Sequence, residues 1–310
     1  MKKAAYFLIL LLFILGACKA PIDQKKTETK PLILTSIYPY ELLLKQMVGD
    51  AVEVRSMIPP NASVHSFSPQ PSHLKDLHKA ELIVINGMGL EEMMKQSLDK
   101  ASDKLLDCSL LLSDLIALDS LQQVREQLMH QHNHDGEHHH DHLATDPHLW
   151  TSPQMMMKLS TKLKTELCSR FTDFVPLINH NYDEIFRELS AADELIRTER
   201  KTYNEPALIT YHNSFHYFCR DYDIRYLGWV QSSPGKEPSP RELLELGTKI
   251  RNHGVRRIFV EPQQDPKSAE VLAKEYKLQI GTLDPIGSTF EATTITELIL
   301  KNWDAMKQAF

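Results

Sequence analysis

Glu81-Leu-Ile-Val-Ile-Asn86 holds four consecutive apolar residues between polar ends, with no alternation of polar and apolar side chains. A strand with one wet face alternates. An unbroken, β-branched run suits a strand covered on both faces, as in the middle of a parallel sheet. Residues 31–36 (PLILTS) form a second such run. Within 51–58, Val52, Val54 and Ile58 point inward as a third strand. Helices are expected over 38–48, where Leu42, Leu43 and Met47 share a side and Gly49 ends the run, and over 72–79. Gly87 and Gly89 turn the chain into a further helix over 91–101.

The same strand and helix alternation returns in the second half. Strands are expected at 207–210 (ALIT), 225–228, 257–260 (RIFV) and 279–283 (QIGTL). Helices are expected at 214–222, 240–253 (capped by Gly254), 266–276 and 293–307. This pattern gives an α/β fold with mainly parallel sheets and helices on both faces. Between the halves a helix starts at Ser152-Pro153, Pro176 interrupts it, and 177–203 resumes with Ile185, Leu189, Ala192 and Ile196 at helical spacing. At about 1.5 Å per residue that segment reaches about 40 Å, enough to span two small domains. The expected organisation is therefore an N-terminal lobe at 31–176, a linking helix at 177–204 and a C-terminal lobe at 205–310.

Lys2 and Lys3 precede an apolar run over 4–15, the layout of a secretory signal and too short for a comfortable membrane span. Leu15-Gly16-Ala17-Cys18 resembles a bacterial lipobox, so residues 1–18 read as a signal with Cys18 as lipid attachment point. Residues 19–30 are polar and aperiodic, like a tether. A net charge of −6 gives no basic footprint, which sets nucleic acid aside. Cys108, Cys168 and Cys219 are too widely spaced for a CxxC motif and allow at most one disulfide, leaving one thiol free.

Eight of the fifteen histidines fall between His130 and His148. Seven of them, His130, His132, His134, His138, His139, His140 and His142, form an aperiodic polar loop at 130–142, and neutral imidazole there has a metal-handling reading. His148, beside Pro147, belongs to the ordered frame. In parallel sheets ligands gather beyond the carboxyl ends of strands. His212 follows ALIT, Glu261 follows RIFV and Asp284 follows QIGTL, while His65 stands at the matching edge of the other sheet. Three imidazoles and one carboxylate make a closed, tetrahedral set suited to zinc: His65, His148, His212 and Asp284, with Glu261 behind a ligand or substituting for one. His73, His78, His180 and His253 read as solvated helix-surface residues. His212 and His216 have the spacing of a metalloprotease helix, but Asn213 stands where the water-activating glutamate is needed.

Five motifs, Asp146-Pro-His-Leu-Trp-Thr-Ser-Pro153, Tyr211-His-Asn-Ser-Phe-His-Tyr-Phe218, Pro234-Gly-Lys-Glu-Pro-Ser239, Phe259-Val-Glu-Pro-Gln263 and Gly281-Thr-Leu-Asp-Pro-Ile-Gly287, resemble the zinc-type solute-binding lipoproteins of bacterial ABC importers, the ZnuA-like, TroA-type family. The resemblance runs from about residue 31 to the C-terminus. It implies two lobes joined by one long rigid helix, with one Zn2+ in the cleft between them, bound by His65, His148, His212 and Asp284. It further implies a monomer that serves a membrane permease and is anchored by its N-terminal lipid at the periplasm or cell surface. Manganese-selective relatives typically carry glutamate at the third position, so His212 points to zinc. Around His65 the chain departs from the pattern, reading Ala62-Ser-Val-His-Ser-Phe67 where proline usually precedes the histidine and an acid follows it. An exported zinc hydrolase and a metal-dependent adhesin or zinc store are the competing classes, and the missing base argues against the hydrolase.

Replacing Cys18 by serine should release the protein from membranes. Detergent phase separation after signal processing checks this, and full membrane partition of the variant would refute the anchor.

Overall fold

The computed structural model describes residues 30–117, 146–231 and 237–310. The signal, Cys18, nearly all of the tether, the loop at 130–142 and residues 234–236 of the third motif lie outside the described residues.

The first half builds a four-stranded parallel sheet of β1 (Leu32–Thr35), β2 (Glu53–Ser56), β3 (Leu82–Ile85) and β4 (Leu105–Asp107) in the order β2-β1-β3-β4. β1 and β3 sit in the middle and are buried throughout, as their unbroken apolar runs require. On β2, Val54 is buried while Glu53 and Arg55 face solvent. α1 (Tyr38–Val48) connects β1 to β2, and α2 (Pro71–Lys79) leads into β3.

The second half repeats this topology with β5 (Ala207–Thr210), β6 (Arg225–Trp229), β7 (Arg257–Val260) and β8 (Gln279–Thr282), parallel and ordered β6-β5-β7-β8. Two long helices join the sheets, α3 (Pro153–Arg170) and α4 (Val175–Arg200). The α-helices that follow them are α5 (His216–Asp221), α6 (Pro240–His253), α7 (Lys267–Tyr276) and α8 (Ile295–Met306). α6 begins with a reciprocal Ser239/Glu242 cap and ends at Gly254, whose φ of 61° is the left-handed closure that glycine tolerates best.

Residues 31–310 form one compact unit. A continuous apolar core runs from β1 and β3 along α4, where Ile178, Ile185, Leu189 and Ile196 are buried, to Phe215, Phe218, Phe259, Leu283 and Trp303 of the second half. The side-chain period of two splits the second sheet between cores: Leu208 and Phe259 face this one, Ile209 and Ile258 face a smaller one under α6 and α7. α8 returns to pack on α1 and α4. Its start is tied by Ile295 N–H to Gln46 Oε1 at 3.1 Å, and Trp303 Nε1 donates to Glu199 at 2.6 Å.

Several local expectations are corrected. The helix expected over 91–101 is a chain of short turns, Glu92–Met94, Lys95–Leu98 and Asp99–Lys104, with Ala101 outside helical geometry. β4 directly after it carries only three half-buried residues, too few to show a period. Pro176 does not interrupt a helix. The break falls at Phe171, and Pro176 lies in the first turn of α4, where its missing N–H costs nothing. The three thiols are all free, with Cys108 and Cys219 buried and Cys168 half-buried, so no disulfide forms among them. No helix of the described residues is long and apolar enough to cross a membrane.

Because Leu189 is fully buried at the middle of α4, Leu189→Ala should destabilise the protein by about 2–5 kcal/mol, read from the shift of the urea unfolding midpoint.

Candidate metal centre

Three imidazoles converge from three separate loops. His212 lies two residues beyond β5, next to β7, where the strand order of the second sheet reverses. His148 opens the short turn Leu149–Thr151 that precedes α3, and His65 sits on the loop between β2 and α2. The Nε2 atoms are 3.2 Å apart for His65 and His212, 3.3 Å for His148 and His65, and 3.1 Å for His212 and His148. A tetrahedral zinc with Zn–N bonds of about 2.0–2.1 Å would space its nitrogens by about 3.3–3.4 Å. The triangle is already close to that size.

The rear nitrogens fix the tautomers. His148 Nδ1 lies 2.6 Å from Asp146 Oδ1, which also accepts the His148 backbone N–H at 2.9 Å. His212 Nδ1 lies 2.8 Å from Glu261 Oε1, which accepts Ser214 Oγ–H at 2.6 Å. A carboxylate only accepts, so each Nδ1 carries the proton and each Nε2 turns a lone pair inward. Thr210 Oγ1 and Tyr226 Oη both donate to the His212 carbonyl, holding that loop from below. Tyr217 Oη binds the Asp146 carbonyl at 2.9 Å, and Trp150 Nε1 binds the Pro285 carbonyl at 2.8 Å, so the two halves meet around the triangle.

Burial first, then the neighbouring His148 and His212 rings, lower the His65 pKa from 6.5 to about 2. His212 behaves oppositely. Burial is the largest single influence and lowers its pKa, but the charge and hydrogen bond of Glu261, with Asp146 behind, outweigh it and leave the pKa raised.

Asp284 is fully buried, yet it is not among the side chains whose ligand atoms all lie within 4.8 Å of one another, which are His65, His148 and His212. Its carboxylate is wrapped by its own loop. Oδ1 accepts the N–H groups of Ile286 (3.2 Å) and Gly287 (2.8 Å) and the Gln263 amide (3.2 Å). Oδ2 accepts Ser288 Oγ, Thr289 N–H and Thr289 Oγ1 at 2.6–3.0 Å. The wrap requires a positive φ of 91° at Gly287, a conformation suited to glycine.

The family model described as "Zinc-uptake complex component A periplasmic", ZnuA, matches residues 33–309. The chain belongs to this family. Relatives of the ZnuA family include the zinc-binding lipoprotein AdcA of Streptococcus pneumoniae serotype 4, 26% identical over 314 residues, covering 99% of this chain and 61% of that protein. The chain thus spans about three fifths of that relative's length. The high-affinity zinc uptake system protein ZnuA of Bacillus subtilis is 27% identical over 326 residues, covering 99% of this chain and 98% of that one. A zinc-bound crystal structure of a ZnuA deletion mutant superposes with a TM-score of 0.72 at 25% identity, covering 91% of this chain and 97% of that one. The two-lobe fold of ZnuA proteins is therefore the fold of this chain.

Of the expected ligand residues, the structure brings His65, His148 and His212 together, sets Glu261 behind His212 and holds Asp284 in its own loop. Sequence reasoning missed Asp146 as the brace of His148, although an acid two residues before a proline-fixed histidine was visible in the motif. Ser214 and Gln263 were missed too. Two histidines read as solvated have partners: His73 Nδ1 accepts the Gln70 N–H, closing the cap of α2, and His253 Nδ1 lies 2.9 Å from Arg225. His78 and His180 are exposed.

Metal binding needs neutral imidazole, and a raised pKa keeps His212 protonated to higher pH, so proton competition begins above 6.5 and grows as pH falls. His65, neutral down to about 2, adds nothing in that range. Glu261→Gln removes the charge that raises His212 and should move the onset of affinity loss to lower pH, while weakening binding overall by about 10–100-fold. Zinc competition titrations from pH 8 to 5 on both proteins check the shift.

Proposed function

We propose that this chain is an extracytoplasmic receptor that captures Zn2+ and delivers it to an ABC-type membrane importer, holding one ion at His65, His148, His212 and Asp284. The observation that carries the reading is the triangle of inward-facing Nε2 atoms with edges of 3.1–3.3 Å. Three neutral nitrogens at zinc spacing favour zinc over manganese, which prefers oxygen ligands and stands lower in the affinity series.

Asp284 joins as fourth ligand by exchanging bonds within its loop. Its six donors exceed the roughly four lone-pair sites of a carboxylate, and the two longest contacts, at 3.2 Å, both fall on Oδ1. That oxygen gives up the least in turning to a metal. Asp146 and Glu261 are each committed to the back of an imidazole, which suits a carrier that surrounds its ion better than a hydrolase that needs a base beside bound water.

The wider assignment follows the same reading. Residues 31–176 and 205–310 act as lobes on the linking helix, Cys18 bears the lipid, and the protein works as a monomer facing the periplasm or cell surface. The loop at 130–142 supplies weaker auxiliary zinc sites. Presenting ligands from an aperiodic polar sequence costs on the order of 1–2 kcal/mol per residue ordered, so those histidines gather or sense zinc while the triangle holds the transported ion.

Calorimetry with zinc, and with zinc against manganese, tests the proposal. One tight zinc site is expected. His212→Ala should weaken it beyond the about 10–100-fold typical of losing an outer partner, and deleting 130–142 should lower zinc uptake only at high concentration. A preference for manganese, an unchanged His212→Ala affinity, or loss of the tight site on deletion would each overturn the corresponding part.

A further inference from the structure

The three ligand histidines are not held alike. His148 and His212 each have a buried carboxylate on Nδ1, whereas His65 bonds only through Nε2, to the other two rings, among the described residues. It is also the most exposed of the three, and it sits on the connection between β2 and α2, which has only isolated turns such as Ala62 N–H to the Pro59 carbonyl. A loop of this kind orients a side chain poorly unless something outside it fixes the backbone.

That fixture comes from the opposite half of the molecule. Gln263, on the turn after β7, donates its side-chain amide to the Pro60 carbonyl at 3.1 Å. Pro59 and Pro60 have fixed φ angles and stiffen the chain between β2 and that carbonyl, so the grip anchors the loop five residues before His65. The same Nε2 also reaches Ser288 Oγ at 2.9 Å and Asp284 Oδ1 at 3.2 Å. Two amide hydrogens cannot fully serve three acceptors, so the grip on Pro60 competes with partners on Gln263's own side and is readily exchanged. One strand end thereby controls two ligands: Glu261 braces His212 directly, and Gln263 reaches across to the loop of His65.

We propose that Gln263 is a positioning residue for His65, a latch across the cleft whose hydrogen bond to the Pro60 carbonyl sets the rate at which zinc leaves. The inference rests on the zinc-receptor reading. With the latch closed, His65 completes the triangle. When the amide turns to Ser288 and Asp284, the one unbraced ligand swings away first and opens the site, while His148 and His212 stay set for the next ion.

The test is stopped-flow transfer of zinc from the full mature protein to an excess of chelator. Gln263→Met keeps the reach of the side chain and removes the donor. It should speed zinc dissociation about three- to tenfold, the range for one neutral hydrogen bond, with little change in association rate and no more than the small fall in metal-free melting temperature that the same bond accounts for. In a His65→Ala background the same substitution should add nothing, whereas in an Asp284→Ala background its effect should persist. A wild-type dissociation rate for Gln263→Met overturns the latch. So does a fall in metal-free stability beyond that of one hydrogen bond, or an effect that vanishes with Asp284 instead of His65. Should His65→Ala itself leave zinc binding intact, the ligand set fails, a result distinct from failure of the latch.

Discussion

The Nε2 atoms of His148 and His212, each turned inward with an unprotonated lone pair, cannot sit 3.1 Å apart without repelling one another, and the surrounding structure is arranged to keep them there. Asp146 and Glu261 hold protons at the far sides of His148 and His212, which prevents those rings from relieving the repulsion by changing tautomer. Burial makes protonation an expensive escape for His65. A cation at the centre removes the conflict and needs little rearrangement of the rings.

The topology explains why the braces are where they are. Each sheet reverses its strand order between its two central strands, and the carboxyl ends there diverge into a crevice. In the second sheet β5 and β7 flank that point, so the residues just after them, His212 and Glu261, meet as imidazole and brace without any long connection. His148 carries its brace in its own tight loop, two residues back. His65 alone arrives on a long connection from the edge strand β2, which is why its support has to be borrowed from across the cleft.

Much of this was legible in the chain. The doubly buried runs of β1 and β3, the helical spacing along α4, and the Gly254 punctuation of α6 each carry a local physical signal that tertiary structure did not override. The histidines were legible because strand ends in parallel sheets are where ligands collect. What was hidden depends on contacts between residues far apart in sequence. β4 is too short to show a period and exists because β3 offers it an open edge. Gln263 gains its role from Pro60, a residue 203 positions away. Asp284 was visible as a carboxylate at a strand end, but the six donors that wrap it include its own backbone loop, which residue type alone does not announce.

The return of α8 to the first half constrains how the cleft can open. A clamshell swing of one sheet away from the other would draw α8 off α1 and wet the apolar surface buried between them. Each fully buried apolar side chain exposed in this way costs about 1.5–3 kcal/mol, so wetting several is comparable with the about 5–15 kcal/mol that separates a folded domain from its unfolded chain. Motions on the scale of one loop and one side chain carry no such cost.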